Sequence, residues 1–391
     1  MNGLGDVLAV ARKARGLTQI ELAELVGLTQ PAINRYESGD RDPDQHIVAK
    51  LAEILGVTDD LLIHGNRFRG ALAVDAHMRR HKTTKASAWR QLEARLNLLR
   101  VHASFLFEEV AINSEQHVPA FDPEFTAAED AARLVRAQWR MPMGPVVNLT
   151  RWMEAAGCLV FEEDFATQRI DGLSQWVDDY PVMLINANAA PDRKRLTLAH
   201  ELGHLVLHST NPTENMETEA TAFAAEFLMP ESEIRPELRR LDLGKLLELK
   251  REWGVSMQAL LERAYRMGLV SAEARTKLYK AMNARGWKTK EPGIESIVRE
   301  KPSLPAHIGM TLRSRGFTDQ QAAAIAGYPI LRTIHSAPKV AASMRFDFRL
   351  TLGCHADGAR CGHTRRPEQA SILGDAVAVP IATAPYRSQG T

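Results

Sequence analysis

Apolar residues in the first 65 positions recur at helical spacing between short polar turns. LGDVLAVARKARG ends at Gly16, and TQIELAELVG begins at Thr18, a helix-capping residue type with Glu21 three positions later. LTQPAINRYESG follows, with Thr29 as its expected cap and a proline in the first turn, where a missing N–H costs nothing. DPDQHIVAKLAEILGV then places its apolar residues on one face. The pattern predicts four short helices over residues 4–65.

A long helix is predicted after a basic linker, the two together spanning residues 66–119. Its apolar positions recur at alternating steps of four and three, as in a heptad seam. These positions are Leu92, Leu96, Leu99, Ala103, Leu106 and Val110. Such a seam either pairs two copies of the chain into a homodimer or packs the helix against the next domain. Both interpretations stay open, because fewer than three heptads do not establish a coiled coil.

Residues 120–290 combine helical and strand patterns. AAEDAARLVRAQWRMP and GPVVNLTRWMEAAG have amphipathic helical spacing, whereas CLVFEED, IDGLSQWV and YPVMLINA alternate as short strands do. Two further helices hold HELGH and NMETEATAFAAEFLMP. A helical extension is predicted over residues 291–330. Residues 331–391 are rich in small, Pro and Arg residues without periodicity, which predicts a poorly ordered C-terminal tail. The predicted fold class is α+β and mainly helical.

Composition limits the class of protein. A length of 391 residues indicates two or three domains, and 45% hydrophobic with 25% charged residues is ordinary for globular proteins. We find neither a signal peptide nor an apolar run near the roughly 18 residues that a membrane span needs. Three scattered cysteines argue against a disulfide framework and for a reducing compartment. We therefore expect a soluble, cytoplasmic protein.

The first region resembles the lambda-repressor-like, XRE-type helix-turn-helix family through TQIELAELVGLTQPAINRYESGDRDPD. The resemblance implies that the helix beginning at Gln30 enters the major groove of a double-stranded DNA operator. The residues then expected at base edges or the adjacent backbone are Gln30, Ala32, Asn34 and Arg35, with Gln19 and Arg41 on phosphates. Acidic residues outnumber basic ones in residues 1–65, which leaves an alternative, a protein-interaction module without DNA binding.

Two histidines one helical turn apart stand in TLAHELGHLVLH. Residues four apart share a helix face, so His200 and His204 can direct one nitrogen each at a single cation. Glu201 is rotated by about 100° from His200, which places its carboxylate beside such a metal and suits a base. His208 lies about 12 Å of helix rise from His200, too far for both to bind one ion.

A catalytic zinc site needs a third protein ligand. The metzincin spacing is excluded, since Leu207 and Thr210 stand where glycine and histidine are required. Carboxylates of the following helix remain. Glu217 shares its face with small or apolar residues that permit close helix approach, whereas Glu219 points about 200° away. Glu217 is the preferred ligand, and Glu219 is the alternative.

Residues 120–290 resemble the ImmA/IrrE family of metallopeptidases through RKRLTLAHELGHLVLH and ETEATAFAAEFLMP, with IDGLSQW and GPVVNL upstream. The resemblance implies a gluzincin-like α+β domain in which Zn2+ is bound by His200, His204 and Glu217, with Glu201 as the catalytic base. Thr221 departs from the family, which more often has Asn or Asp there. A side chain at this position, one turn after the ligand, can orient a histidine.

Together these patterns predict a DNA-binding transcriptional regulator with a zinc-dependent endopeptidase domain that hydrolyses a peptide bond in a regulatory protein, such as a repressor. We expect the substrate to lie extended along an edge strand near YPVMLINA, and we expect the regulator to associate with the nucleoid and not with membranes. Two non-enzymatic hypotheses stay open. In one the second domain senses a metabolite or partner, and in the other the chain is an antitoxin-like binding module.

Overall fold

The computed structural model describes residues 3–65, 86–112, 114, 116–177, 179–209, 211–329 and 381–383. Its N-terminal helices are α1 (Gly3–Ala14), α2 (Gln19–Val26), α3 (Gln30–Ser38), α4 (Gln45–Leu55) and α5 (Asp59–His64). The predicted capping box at Thr18 and Glu21 is present, whereas Thr29 occupies the N-cap position of α3 without a side-chain cap bond. One helix more forms than the sequence predicts, because Gly56 ends α4 with a φ of 68° and Thr58 caps α5.

The long helix α6 (Ala86–Glu109) runs into a short strand, β1 (Val110–Ile112), and the basic stretch 66–85 before it lies outside the described residues. All six positions of the heptad seam are buried in a core shared with the sheet and the C-terminal helices. A different face of α6 carries Val101 and Phe105 into the core of α1–α5. The structure therefore favours intramolecular packing of this seam over pairing of two copies, because the apolar side chains are already covered.

The predicted α+β unit has the expected elements. They are α7 (Ala128–Gln138), α8 (Leu149–Ala155), β2 (Leu159–Glu163), β3 (Gly172–Val177), β4 (Tyr180–Asn186), α9 (Pro191–Leu207) and α10 (Met216–Leu228). The strand order is β2–β4–β3, with β2 parallel and β3 antiparallel to β4. One sheet face packs toward α9 and α10, for example through Met183 and Ile185, and the opposite face packs toward α6, for example through Leu184.

Helices α9 and α10 approach closely at Gly203. A Cβ atom added at Gly203 would lie 3.1 Å from the Ala220 Cα and 3.2 Å from the Phe223 Cβ. Such distances are shorter than ordinary contacts between carbon atoms, and the atom at Ala220 belongs to the backbone. The small residue at position 203 therefore sets how near α10 lies to α9.

The C-terminal part adds a layer of helices. They are α11 (Glu231–Ile234), α12 (Leu243–Trp253), α13 (Met257–Arg266), α14 (Ala272–Ala284), a 3-10 turn (Ile294–Ser296), α15 (Leu304–Ser314) and α16 (Asp319–Ile325). The predicted tail, 331–391, lies outside the described residues except for a strand, β5 (Ile381–Thr383), which pairs antiparallel with β1 and which the sequence does not predict. Within the described part of the chain, no helix is both long and apolar enough to cross a bilayer.

Buried charges hold the segment that follows α14. The side chain of Lys250 is fully buried, and its Nζ lies 2.7 Å from Asp192 Oδ2 and 2.8 Å from Glu291 Oε2. Glu154 accepts hydrogen bonds from the backbone N–H groups of Ser303 and Leu304, both at 2.7 Å, and so caps the start of α15. Removing one partner of a buried ion pair typically costs about 3–5 kcal/mol, so these contacts tie residues 291–304 to the rest of the fold.

The turn after α16 forms hydrogen bonds with the start of α5 and with α6. Thr58 N–H donates to Gly327 O at 2.9 Å. On α6, His102 Nδ1–H donates to Ala326 O at 2.6 Å, and its ring stacks on Tyr328 with the ring centroids 3.9 Å apart. Burial lowers the pKa of His102 to about 4, and the hydrogen bond to Ala326 only partly opposes this. The imidazole at this junction is therefore neutral at neutral pH.

Acidification should destabilise the fold through His102. Protonation favours the unfolded state, in which the pKa has its ordinary value of 6.5, so stability falls as the pH drops from about 6.5 toward 4. Between pH 7 and pH 5 the loss from this group should be about 2 kcal/mol of unfolding free energy, measured by urea unfolding. His102→Gln should show a smaller loss, since glutamine can still donate to Ala326 but does not titrate.

The exposed residue His46 offers a matched control, and His46→Gln should keep the pH dependence of the wild type. If His102→Gln loses as much stability between the two pH values as the wild type, the assignment to His102 is wrong.

Candidate metal centre

Helices α9 and α10 bring three side chains with metal-binding atoms together. His200 and His204 stand one turn apart on α9, and Glu217 lies in the first turn of α10. The two imidazole Nε2 atoms are 3.2 Å apart. Glu217 Oε2 lies 3.5 Å from His200 Nε2, and Glu217 Oε1 lies 3.5 Å from His204 Nε2. The close helix contact at Gly203 allows Glu217 to reach both histidines. The three residues that the sequence predicts as ligands thus form one group.

The arrangement fits a tetrahedral cation. Zinc bonded at about 2.0–2.1 Å to such donors holds neighbouring ligand atoms roughly 3.3 Å apart, close to the separations among these three side chains. Within the described chain, both oxygens of Glu217 are buried without a hydrogen-bond partner, although buried polar atoms are rarely left unsatisfied. Two imidazoles and one carboxylate leave a fourth position open, as catalytic zinc sites do.

The surroundings favour a charged Glu217. Burial alone raises the pKa of this carboxyl, but its contacts with His200 and His204 outweigh burial and hold the pKa well below its usual range. A carboxylate therefore faces the two imidazole nitrogens at neutral pH. This is the protonation state in which a glutamate binds a cation.

The Thr221 hydroxyl lies near the His200 ring nitrogen that faces away from His204. Its hydroxyl donates to Glu217 O at 2.7 Å, and its Oγ1 lies 3.5 Å from His200 Nδ1. Because the hydroxyl hydrogen is directed at the carbonyl, Oγ1 is left to accept from His200 Nδ1–H. In that tautomer the lone pair of Nε2 would point into the metal-binding group, so an orienting role for Thr221 stays a prediction.

Glu219, the alternative ligand, does not join this group. Its Oε2 accepts hydrogen bonds from His208 Nε2–H and Thr213 Oγ1–H, both at 2.8 Å. The other ring nitrogen of His208, Nδ1, lies 3.1 Å from His204 Nδ1. Burial lowers the pKa of His208, and the bond to Glu219 opposes that effect. His208 therefore contacts His204 at the ring nitrogen that faces away from His200, and Glu219 contacts His208 in turn.

Glu201 is buried between α9 and β3, with 4% of its surface exposed. Its Oε2 accepts a hydrogen bond from Ser174 Oγ at 2.7 Å. Burial raises the pKa of Glu201, while His204, His200 and the Ser174 hydroxyl oppose the rise. A carboxyl of raised pKa that lies beside the ligands but is not one of them is suited to accept a proton.

The edge strand beside Glu201 is β3, whereas β4 is paired on both sides. YPVMLINA forms β4 at the centre of the sheet, and β3 is an edge strand next to it. The expectation that a substrate lies along an edge strand near YPVMLINA stays a prediction. Trp176 stands opposite Pro181, which has no N–H, so this pair is not hydrogen-bonded. Antiparallel pairs alternate, so Gly172 and Ser174 also direct their backbone groups away from β4. Arg100 Nε donates to Trp176 O at 2.9 Å on that edge.

The predicted DNA contacts lie on α2, on α3 and in the turn that follows α3. Asn34, Arg35 and Arg41 are exposed on the surface of this region. Ala32 is half-buried and packs against the core of α1–α5. The surface of α3 thus presents an amide and a guanidinium, the groups that pair with base edges.

A hydrogen-bonded chain links the other predicted contacts. Gln30 Nε2 donates to Gln19 Oε1 at 2.7 Å, and Gln19 Nε2 donates to Glu37 Oε2 at 2.8 Å. Glu37 is itself paired with Arg12 at 2.5 Å. The two glutamines are therefore held in place at the start of α2 and α3.

Several residues at the metal centre carry no motif of their own. Strand alternation in IDGLSQWV places Gly172, Ser174 and Trp176 on one face, which is the signal by which Ser174 could be found. His208 and Glu219 meet only because α9 and α10 pack side by side. Spacing along the chain does not show that contact.

Comparison with known proteins identifies both regions. Residues 153–265 match the family model for the IrrE N-terminal-like domain of Peptidase M78, and residues 8–62 match a helix-turn-helix model. The SPbeta prophage-derived uncharacterized HTH-type transcriptional regulator YonR of Bacillus subtilis (strain 168) is 36% identical over 61 residues, which are 16% of this chain and 56% of that protein. The uncharacterized HTH-type transcriptional regulator YqaE of the same organism is 40% identical over 58 residues, 15% of this chain and 50% of that protein.

The similarity to these two regulators thus spans about half of their length. Beyond it, the match to Peptidase M78 covers α9 and α10, the helices that hold the metal-binding group. The chain therefore carries an XRE-type helix-turn-helix domain and an IrrE/ImmA-like domain of the Peptidase M78 family.

Proposed function

We propose that the chain is a DNA-binding transcriptional regulator whose second domain is a zinc-dependent endopeptidase of gluzincin type that cleaves a regulatory protein. One observation carries the enzymatic half. His200, His204 and Glu217 converge, while the carboxyl of Glu201 stays outside the ligand group beside them. Structural zinc sites are closed by four protein ligands, whereas catalytic sites have three and an open position.

The residues around the centre have complementary tasks. Bound zinc would supply a Lewis acid that acidifies water and polarises the scissile carbonyl. Glu201 takes the proton from the attacking water and delivers it to the leaving amine. Ser174 fixes the orientation of the Glu201 carboxylate through its hydrogen bond.

The substrate would bind as an added strand along the outer edge of β3. Gly172 and Ser174 direct their backbone groups outward there, next to Glu201. Main-chain pairing gives affinity with little dependence on side chains, which suits hydrolysis of an extended protein segment. Arg100 occupies the carbonyl of Trp176 and so limits the usable edge at that end.

The helix-turn-helix domain would bind an operator in double-stranded DNA and so place the protein at the nucleoid. Arg35 and Asn34 are exposed on α3 for base edges, with Arg41 nearby for a phosphate. We propose residues 4–65 as the DNA-binding unit, 66–119 as the connector, 120–290 as the peptidase unit and 291–330 as its helical extension.

Purified full-length protein should contain about one zinc ion per chain, as counted by elemental analysis. Glu217→Gln should weaken zinc binding at least 10-fold in a chelator competition, because a charged ligand is lost. Glu201→Gln should keep the zinc affinity, because Glu201 is not a ligand. Glu214→Gln changes the same charge at an exposed position and serves as the control.

Glu201→Gln should lower peptide hydrolysis by about 100-fold or more, since the base is removed. Mass spectrometry of protein N-termini can compare cells that produce the wild type with cells that produce this variant. Termini that appear only with the wild type would support the peptidase. Identical termini in the two strains, with zinc bound in both proteins, would instead favour the non-catalytic sensor.

Gly203→Ala should separate α9 from α10 and weaken zinc binding. Overpacking of this kind costs about 1–3 kcal/mol, partly offset by the better helix propensity of alanine, about 1 kcal/mol. Urea unfolding and chelator competition measure the two effects. Gly144→Ala is the matched control, because an added Cβ there meets nothing within 4 Å. Unchanged zinc affinity in Gly203→Ala would show that the helix contact does not set the ligand geometry.

Arg35→Ala should weaken binding to duplexes that the wild type enriches from a random pool. Loss of one bidentate base contact costs about 1–3 kcal/mol, which corresponds to roughly 5- to 150-fold in affinity. Arg239→Ala removes the same charge from an exposed site outside the first domain and should bind as the wild type does. Equal binding by Arg35→Ala would remove this residue from the DNA interface.

A further inference from the structure

A chain of hydrogen bonds runs outward from His204 to a carboxylate. His204 Nδ1 lies 3.1 Å from His208 Nδ1, and His208 Nε2 lies 2.8 Å from Glu219 Oε2. Thr213 Oγ1 donates to the same Glu219 oxygen at 2.8 Å. The side chain of His208 is only 2% exposed, so water does not replace these partners.

The protons of this chain can be arranged in only one way if His204 binds a metal through Nε2. His204 must then carry its proton on Nδ1 and donate it to His208 Nδ1. His208 can accept at Nδ1 only if its own proton is on Nε2. That proton faces Glu219 Oε2, an acceptor when the carboxyl is ionised. Every donor in the chain therefore meets an acceptor.

We propose that His208 and Glu219 are positioning residues for the metal ligand His204, holding it in the tautomer that presents Nε2 to a divalent cation. This inference rests on the proposed metal site and deepens it. Ligating histidines commonly donate their second ring N–H to an acceptor that fixes the ring and raises its basicity. In this chain the acceptor for His204 is a second histidine, which relays the contact to a carboxylate.

The two histidine ligands have unlike supports. His200 faces the neutral hydroxyl of Thr221 at 3.5 Å, whereas His204 faces a chain that ends on a carboxylate. Charge-assisted hydrogen bonds are roughly twice as strong as neutral ones. The metal should therefore depend more on Glu219 than on the hydroxyl of Thr221.

Substituting Glu219 with glutamine changes the charge and little else. A glutamine amide that turns its NH2 group to His208 Nε2 would force the proton of His208 to Nδ1. Two Nδ1–H groups would then face each other. His204 could accept a hydrogen bond from His208 only by moving its own proton to Nε2, the nitrogen that is proposed to bind the metal. The contact with Thr213 would be retained, because both bonds are made to the position of Glu219 Oε2, and a hydroxyl can accept from an NH2 group as well as donate to an oxygen.

The test measures zinc affinity of the full-length protein by chelator competition at one fixed pH. Glu219→Gln and His208→Phe should each weaken zinc binding by about 10- to 100-fold. Glu214→Gln, an equal charge change at an exposed residue five positions away, should match the wild type. Thr221→Val should lose less than Glu219→Gln. Urea unfolding of the metal-free proteins shows whether each variant is folded. If His208→Phe does not fold, the zinc affinity of Glu219→Gln alone decides the test.

Ring-nitrogen spectra of the zinc-loaded, 15N-histidine-labelled protein provide a second readout that does not involve catalysis. His208 should carry its proton on Nε2 in the wild type and show a weaker preference for Nε2 in Glu219→Gln, because an amide can present either its oxygen or its NH2 group to this nitrogen. Zinc affinities of Glu219→Gln and His208→Phe within threefold of the wild type would overturn the proposal, as would a His208 protonated on Nδ1 in the wild type. If the wild type itself binds no zinc, the proposed metal site fails as well.

Discussion

The metal-binding group depends on how closely two helix backbones approach at Gly203. Even a methyl group at this position would stand 3.1 Å from the Ala220 Cα, so no side chain separates α9 from α10 there. The contact lies between the two histidines of α9 and one turn from Glu217 on α10. A glutamate side chain is long enough to span the remaining gap and meet both imidazoles. The distance between α9 and α10 therefore determines where Glu217 lies relative to the two histidines.

Three glutamates within 20 positions of one another meet three different environments. Glu217 faces two imidazoles, which hold its pKa low. Glu201 is buried beside Ser174, and burial raises its pKa. Glu219 lies half-exposed against His208 and Thr213. The tasks proposed for them, ligand, base and positioning residue, follow from surroundings and not from residue type, as is usual where one site combines metal binding and proton transfer.

Local periodicity predicts most of the helices and strands. It does not predict features that depend on contacts between segments far apart in the sequence. The pair His200 and His204 follows from helical spacing alone, and the three strands follow from alternation. The same alternation cannot say that β3 lies at the edge and β4 in the centre, because strand order depends on contacts far apart in sequence. The heptad seam of α6 shows an apolar face but does not identify its partners, which are the sheet and the C-terminal helices of the same chain. Helix α5, with six residues, is too short for its periodicity to be recognised in the sequence.

Helix α6 belongs to both halves of the molecule. Leu99 and Ala103 pack with the sheet, while Val101 and Phe105, on the intervening positions, pack with the N-terminal helices. Recombination that replaces one half with the corresponding domain of a related protein must therefore keep the α6 residues that pack against the other half. A substitution on one face of α6 can shift the helix and so disturb the packing on its other face. The sequences of the two units are therefore expected to change together during evolution.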